Sequence, residues 1–454
     1  MFFFLQKKFK DCIFNKNYGH QKGLSLLGFP LRFFYKMNRT IAHMDLDTFF
    51  VSVERKLHPE LNGKPVLVGG TSDRGVVASC SYEARSFGVH SGMPMKTARL
   101  LCPQAAVVRG DHEQYSYYSN IITDIIKEQV PVYEKTSIDE FYMDLTGMDK
   151  FFGCYQFATE LRSKIMNETN LPLSFAMSCN KTVAKIGTGQ AKPNGQLDIL
   201  RGSEKSFLAP LSIKKIPMVG AKTYQLLSSM GIEKIETIQQ MPIELMQQVL
   251  GENGTTIWHK ANGIDNSPIE PYNERKSIGS ETTFEKDTID VTFLKQVLLG
   301  MTEKLAYQLR TENKLTACIT VKIRYSDFNT FTLQCKIPYT ALDDMLIPKV
   351  NELFDKLFQK RLLIRLVGIR FSHLVQGSYQ FNLFDDMGQK VLLYNAMDKL
   401  RNRFGANIIQ RAEAMDVKKT PMFSSFVSPK KQIESLPKTD IHYTEDNSNN
   451  TFDD

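Results

Sequence analysis

The side chains best suited to chemistry in this chain are acidic, and they fall in two short stretches. In IAHMDLDTFFVSVE, Ile41 to Glu54, Asp45 and Asp47 stand two residues apart at the end of an apolar run. In VYEKTSIDEFYMDLT, Val132 to Thr146, Asp139 and Glu140 are adjacent. Ala42, Met44 and Leu46 alternate with His43, Asp45 and Asp47, which puts the acids on one face of a strand and the apolar side chains on the other. A buried Asp45 requires a cation. Asp47 precedes Phe49, Phe50, Val51 and Val53, so it reads as the N-cap of a helix. Asp139 and Glu140 point to opposite faces of a straight strand, and both reach one site only if the backbone bends there. Taken singly, such a pair is an ordinary solvated turn.

Two further groups suit phosphate. In GVVASCSYEARSFGVHSGM, Gly75 to Met93, Tyr82 and Arg85 lie three residues apart and share a helical face if the helix has begun by then. A phenol beside a forked guanidinium suits a triphosphate, and the same pair also describes a surface arginine packed on a tyrosine. Lys192 stands at the edge of the turn Lys192-Pro193-Asn194-Gly195, where it is either an exposed lysine or a phosphate contact.

These groups require a scaffold of mixed type. Strands are expected at Ile41, Lys64 to Gly70 and Gly75, followed by an amphipathic helix from Tyr115 to Val130 with Ile121, Ile122, Ile125 and Ile126 on its inner side. Val132 to Thr146 reads as two strands with a bend at Ser137 to Glu140, and Leu171 to Gln196 as strand, helix and turn. Short polar helices then take over. Ile216 to Ile232 has the look of a helix-hairpin-helix, with Leu226 and Leu227 packing, and Leu250 to Trp258 repeats that character. Such hairpins hold DNA phosphates with backbone amides at a helix N-terminus. Thr282 to His373 reads as an α/β module with a helix at Thr292 to Thr311, a hairpin at Ala317 to Ile337, a helix at Leu342 to Phe358 and a last strand at Arg365 to Leu374. Lys322 and Arg324 fall on one exposed face of that hairpin, with Lys336 and Arg370 along the same sheet. QFNLFDD, Gln380 to Asp386, is a short peptide able to anchor Leu383 and Phe384 in a partner's pocket. Tyr394 to Ala412 reads as a short helix and turn, and the Ser-, Pro-, Lys-, Asp- and Asn-rich stretch from Lys418 as disordered.

Composition narrows the class. A chain of 454 residues with 42% hydrophobic content is long enough for several domains with cores of their own, and its formal charge of +8 points to an acidic partner, nucleic acid ahead of membrane. The cysteines, Cys12, Cys80, Cys102, Cys154, Cys179, Cys318 and Cys335, include no C-x-x-C and read as reduced thiols of a cytoplasmic protein. No apolar run approaches the roughly 18 residues of a membrane helix. MFFFLQKKFK is apolar and then basic, the reverse of a signal peptide, and residues 1–36 read as an upstream extension with translation starting at Met37.

In content and order, HMDLDTFFVSVE, SYEARSFGV, TSIDEFYMD, AKPNGQ, the helix-hairpin-helix region and KSIGSETTF resemble the Y-family translesion DNA polymerases, on the bacterial DNA polymerase IV branch, from about Met37 to Val375. The resemblance implies a multidomain α/β (α+β) right-hand polymerase. Its palm takes residues 37–49 and 111–203, small fingers 50–110, a helix-hairpin-helix thumb 204–270, a linker 271–280 and a C-terminal α/β little finger 281–376. A clamp-binding segment at 377–388, a short helical tail at 389–417 and the disordered tail at 418–454 complete the division. It also implies the site: Asp45 and Asp139 as shared ligands of two Mg²⁺ ions, Glu140 on the catalytic ion, and Leu46 contributing its main-chain carbonyl. Tyr82, Arg85 and Lys192 match the family's triphosphate contacts and Phe50 its sugar gate, while Asp47 keeps the capping role.

The activity so implied is template-directed, distributive, low-fidelity DNA synthesis in translesion synthesis and damage tolerance. It would be carried out by a monomer in the bacterial cytoplasm, on the nucleoid when DNA is bound, with primer-template DNA and deoxynucleoside triphosphates as substrates and a sliding clamp held through Gln380, Leu383 and Phe384. Met218 departs from the family pattern, since it stands where the first hairpin more often has glycine. Two rivals make different demands. A catalytically silent DNA- or clamp-binding adaptor would be expected to lose the acidic set, which is present. A nucleotidyl cyclase would leave the thumb and little finger unexplained.

Overall fold

The computed structural model describes residues 39–148, 153–271, 274–377, 387–405 and 408–414. The first half alternates strand and helix: β1 (Ile41–Leu46), α1 (Phe49–Leu57), β2 (Val66–Gly69), β3 (Val77–Cys80), α2 (Tyr82–Ser86), α3 (Met95–Leu101), β4 (Ala106–Val108), α4 (His112–Gln129), β5 (Tyr133–Lys135), β6 (Glu140–Asp144), α5 (Cys154–Thr169), β7 (Leu173–Ser178), α6 (Lys181–Ala191) and β8 (Gln196–Asp198). Two sheets result. One has five strands in the order β5-β6-β1-β7-β8, and the other three in the order β3-β2-β4.

In the larger sheet β1 is central and antiparallel to both neighbours, β6 and β7. The two-residue alternation decides what each face carries. Ala42, Met44 and Leu46 turn into a core shared with Phe141, Met143 and Phe175 of the neighbouring strands and with Phe49, Ile122, Ile126, Leu161 and Ile165 of α1, α4 and α5. Burial of these side chains, at about 25 cal/mol per Å² of apolar surface, is what holds the helices to this face. His43 and Asp45 therefore face the other way. In the small sheet, Leu67, Val77 and Cys80 pack on Ala84 and Met95 in a separate core.

A purely helical stretch follows: α7 (Glu204–Leu208), α8 (Ala221–Ser229), α9 (Ile235–Gln240), α10 (Ile243–Leu250) and α11 (Glu252–Ala261). Leu227 is fully buried here, but Leu226 is 40% exposed, so only one of the two expected leucines packs. Consecutive helical positions diverge by about 100°, and the inner stripe of α8 takes only Leu227. Met218, in the turn before α8, sits at φ +82, in the left-handed region that glycine occupies without strain.

The last module contains β9 (Ser277–Thr288), α12 (Val291–Thr311), β10 (Lys314–Tyr325), β11 (Thr330–Thr340), α13 (Asp343–Leu357), β12 (Ile364–Gln376) and α14 (Met387–Phe404). Its sheet is antiparallel in the order β11-β10-β12-β9. Leu298, Leu305, Leu346 and Phe354 of α12 and α13 pack on Ile319, Val321, Val367 and Ile369. The strands start earlier than expected: β9 begins at Ser277, inside the stretch read as a linker, because Ile278 pairs with Phe371 and Gly279 with Arg370 of β12. Lys322 and Arg324 are engaged rather than free, the first with Glu281 and the second with Thr330 at 2.8 Å.

The tail helix is also more than expected. α14 spans 18 residues, begins before residue 389, and is fastened to the module through Arg310, a residue with no periodic signature. The Arg310 guanidinium donates to Asp343 at 2.7 Å and forks onto Asp398 of α14 at 2.6 and 3.1 Å. Tyr394 donates to Asp344 at 2.8 Å. Gln380, Leu383 and Phe384 lie outside the described residues, as do residues 1–36 and 418–454. Among the described residues no helix is long and apolar enough to cross a membrane.

Candidate active site

Strand pairing brings the two acidic stretches together. Asp45 of β1 stands opposite Glu140 of β6, and Leu46 N–H donates to the Asp139 carbonyl at 3.1 Å. The bend required for Asp139 and Glu140 to serve one site is present and is made by Ser137. Its hydroxyl oxygen accepts from Glu140 N–H at 3.0 Å and donates to the Asp139 carboxylate at 2.5 Å, while Thr136 N–H donates to the Glu140 carbonyl at 3.1 Å. A serine that satisfies the backbone in this way replaces the ladder bonds a straight strand would have made.

Each carboxylate has its own donor. Lys192 is paired with Asp45, and its ammonium also donates to the Leu46 carbonyl at 3.4 Å. Lys185 donates to both oxygens of Glu140 at 2.7 and 2.6 Å. Among the described residues, no three acidic, His or Cys side chains converge tightly enough to enclose a metal ion by themselves. The charges nevertheless act on one another. Burial pushes the Asp45 carboxyl up to about 7; Lys192, close and hydrogen-bonded, pulls it down, and the Asp139 and Glu140 charges add to the rise. One ammonium does not offset the burial. The acceptors are all oxygen, the donor type a hard divalent cation takes, and Lys192 already brings the Asp45 carboxylate and the Leu46 carbonyl onto a single positive charge.

Helix α6 sets both lysines, with Lys185 within it and Lys192 just beyond its end. It is held on β1 by His43, whose Nδ1 lies 2.9 Å from the Thr188 hydroxyl, while that hydroxyl also contacts the His43 carbonyl at 2.9 Å. Burial, reinforced by Lys185, Lys192 and Lys181, holds the His43 imidazole well below its usual range, so it sits neutral on the same face of β1 as Asp45.

Asp47 is not a helix cap. The N-cap position of α1 belongs to Thr48, at φ 42, and its side chain caps nothing. Asp47 N–H instead continues the pairing with the β7 side, donating to the Pro172 carbonyl at 2.9 Å, and this directs the carboxylate inward. There it accepts from Ser174 Oγ at 2.8 and 3.0 Å and from Asn194 N–H at 2.6 Å, and lies 3.7 Å from Lys192. Asp47 thus anchors the turn that carries Lys192. The turn also needs its glycine, since a Cβ on Gly195 would lie 2.1 Å from the Ala191 carbonyl oxygen.

Tyr82 is the first residue of α2, and the Arg85 guanidinium lies 4.9 Å from its ring centroid, so the shared face exists. The Tyr82 hydroxyl is buried and has no hydrogen-bond partner among the described residues. Burial, with the Asp47 charge adding, pushes the phenol up to about 12. Phe50, in the first turn of α1, stacks on Tyr115 at 4.2 Å and meets His112 edge-on at 5.6 Å. Tyr115 is fully buried and its hydroxyl donates to Glu54, so the ring behind Phe50 is fixed. Reading the sequence missed Lys185, Thr188, Ser174 and Tyr115, and named Ser137 only as the start of the bend. Lys185 alone carried a signal, four residues after Lys181 on a helix that starts at the end of β7.

A model of the impB/mucB/samB family matches residues 44–189, and a model of the impB/mucB/samB family C-terminal domain matches residues 275–383. A curated DNA polymerase IV of Dehalococcoides mccartyi is 38% identical over 384 residues, covering 84% of this chain and 98% of its own. One from Streptococcus pneumoniae is 36% identical over 353 residues, covering 76% and 99%. The chain belongs to the Y-family of DNA polymerases. The fold agrees: a solved Y-family DNA polymerase chimera superposes with a TM-score of 0.66 at 26% identity, over 74% of this chain and 100% of that one. Within this Y-family chain, the first matched region holds Asp45, Asp47, Asp139, Glu140, Tyr82, Arg85 and Lys185, and stops three residues short of Lys192.

The reassignment of Asp47 is checked by urea unfolding. Asp47→Ala strips two charge-assisted bonds from a buried site and should destabilise the chain by about 3 kcal/mol. A loss of only about 1 kcal/mol, the usual size for a missing cap, would restore the capping role.

Proposed function

We propose that the protein is a template-directed DNA polymerase that joins deoxynucleotides to a primer 3′-end, with Asp45, Asp139 and Glu140 holding two Mg²⁺ ions. Divalent-metal dependence is general to the family. The observation that carries the reading is the convergence of the Asp45 carboxylate and the Leu46 carbonyl on Lys192, beside Asp139 and Glu140 on the paired strand. In the reaction the primer 3′-hydroxyl gives its proton to water, its oxygen forms a bond to the α-phosphorus, the bond from that phosphorus to the oxygen bridging to the β-phosphate breaks, and pyrophosphate leaves. When bound, the ions supply charge neutralisation along the triphosphate and acidify the primer hydroxyl.

The protein's own groups bind and orient. Asp45 and Asp139 would be shared between the ions, Glu140 would hold the catalytic one, and Leu46 would add its carbonyl. Lys192 and Lys185 would give up their carboxylates to the ions, which leaves Lys192 for the triphosphate. Arg85 offers a phosphate its fork of donors, and the unpartnered Tyr82 hydroxyl offers one more. Phe50, backed by Tyr115, would fill the space a ribose 2′-hydroxyl needs.

In the hand so formed, the five-stranded sheet is the palm, the small sheet the fingers, the helices from α7 to α11 the thumb and the four-stranded sheet the little finger. The fingers are small, built on a three-stranded sheet, and the synthesis we propose is low-fidelity and distributive, of the translesion type, by a monomer in the bacterial cytoplasm. Gln380 to Phe384 would dock on a sliding clamp, raising the effective concentration of a weakly gripping enzyme at its primer.

Primer extension in Mg²⁺ tests the reading. Wild type should insert deoxynucleotides and reject ribonucleotides, and Phe50→Ala should relax that rejection by at least about tenfold. No insertion by wild type would dismiss the polymerase assignment, and unchanged discrimination would dismiss the gate. Replacing Leu383 and Phe384 by alanine should abolish clamp-stimulated synthesis and spare distributive synthesis, whereas equal loss of both contradicts docking.

A further inference from the structure

The turn between β10 and β11 presents aromatic rings to water. Phe328 is 64% exposed and Phe331 38%. Phe328 also sits at φ +64, an uncommon conformation for a bulky side chain and one that the surrounding bonds must impose. They are on hand. Tyr325 N–H donates to the Asn329 carbonyl at 3.1 Å, Asp327 accepts from Asn329 N–H at 2.9 Å, and Ser326 N–H donates to the Leu363 carbonyl at 2.9 Å, tying the turn to the loop before β12. The fold spends these contacts holding a phenylalanine in solvent.

Each ring has a cation beside it. The Arg365 guanidinium lies 4.6 Å from the Phe328 centroid, and the Lys360 ammonium 4.4 Å from that of Phe331. The location is also specific. Arg365 lies 4.0 Å from Asp287 of β9, and Asp287 is paired with Arg74, which also donates to the Phe284 carbonyl at 3.0 Å. Arg74 belongs to the loop between β2 and β3, and β3 runs directly into α2 with Tyr82 and Arg85. The rings therefore lie at the end of the four-stranded sheet that touches the small sheet.

We propose that Phe328 and Phe331, flanked by Arg365 and Lys360, form a stacking platform for unpaired bases of the template strand. The inference rests on the polymerase reading: a template being copied has duplex on one side of the active site and single strand on the other, and the small sheet carries the candidate nucleotide contacts. An exposed ring takes a base only where that base is unpaired, and the adjacent cations meet the phosphates between bases. A duplex offers such rings no free base face.

Fluorescence anisotropy without nucleotide, on primer-templates with 5′ overhangs of one or ten nucleotides (lengths of roughly the span one platform engages), tests the platform. Wild type should bind the longer overhang more tightly. The pair Phe328→Ala and Phe331→Ala should lose that gain, about tenfold per ring, and keep wild-type affinity for the short overhang and wild-type single-nucleotide insertion on it. Phe328→Leu with Phe331→Leu, which keeps bulk and removes the aromatic faces, should lose the gain with an unchanged thermal transition. Retention of the gain in either variant overturns the proposal, as does equal weakening on both substrates. Failure of wild type to insert a nucleotide on the short overhang would instead refute the polymerase reading, because the overhang effect is read from binding alone.

Discussion

The crowding of three carboxylates at the pairing of β1 with β6 is the constraint on which the rest of the structure depends. Register places Asp45 against Glu140, and the Ser137 bend keeps Asp139 beside them. Three like charges so close cannot stand without positive charge nearby. The chain provides Lys185 from helix α6 and Lys192 from the turn just beyond its end, and that requirement explains the helix's attachments. His43 and Thr188 hold the helix to the face of β1 that bears Asp45, and Asp47 with Ser174 and Asn194 holds the turn at its end. Buried polar groups around the carboxylates thus serve to keep cations beside them.

The same arrangement accounts for how a charged site coexists with a stable sheet. The face of β1 that bears Asp45 is opposite the face that bears Met44 and Leu46, so a large cluster of buried apolar side chains lies beneath the site. Removing one charge partner from such a site costs more than the pair contributes, because the partner left behind is desolvated and uncompensated. Exchanging a lysine for a stronger cation avoids that cost.

Much of this was legible from residue types and order. The alternation around Asp45 announced a strand with an acidic face, and the Ser137 to Glu140 bend followed from the need to bring adjacent acids to one side. What escaped was set by distance in the chain. Asp47 looked like a cap because its sequence neighbours are helical, but its partners, Ser174 and Asn194, are 127 and 147 residues away. Lys185 pairs with Glu140 across 45 residues, and Arg310 binds Asp398 across 88. Local periodicity carries no information about such pairs, which is also why α14 read as a short tail. Only the first residues of β9, Ser277 to Ser280, fell in the stretch read as a linker, because the alternation there is polar, as suits a strand whose inner face has few large side chains.

The central claim is that the acidic cluster is a cation site for which the lysines stand in. Binding of Mn²⁺, followed by paramagnetic resonance on protein carrying a dideoxy-terminated primer-template and an incoming deoxynucleotide, tests it most directly. Wild type should hold about two ions. Asp45→Asn, which keeps shape and removes charge, should weaken ion binding by more than about tenfold. Equal ion binding by the two proteins would contradict the account.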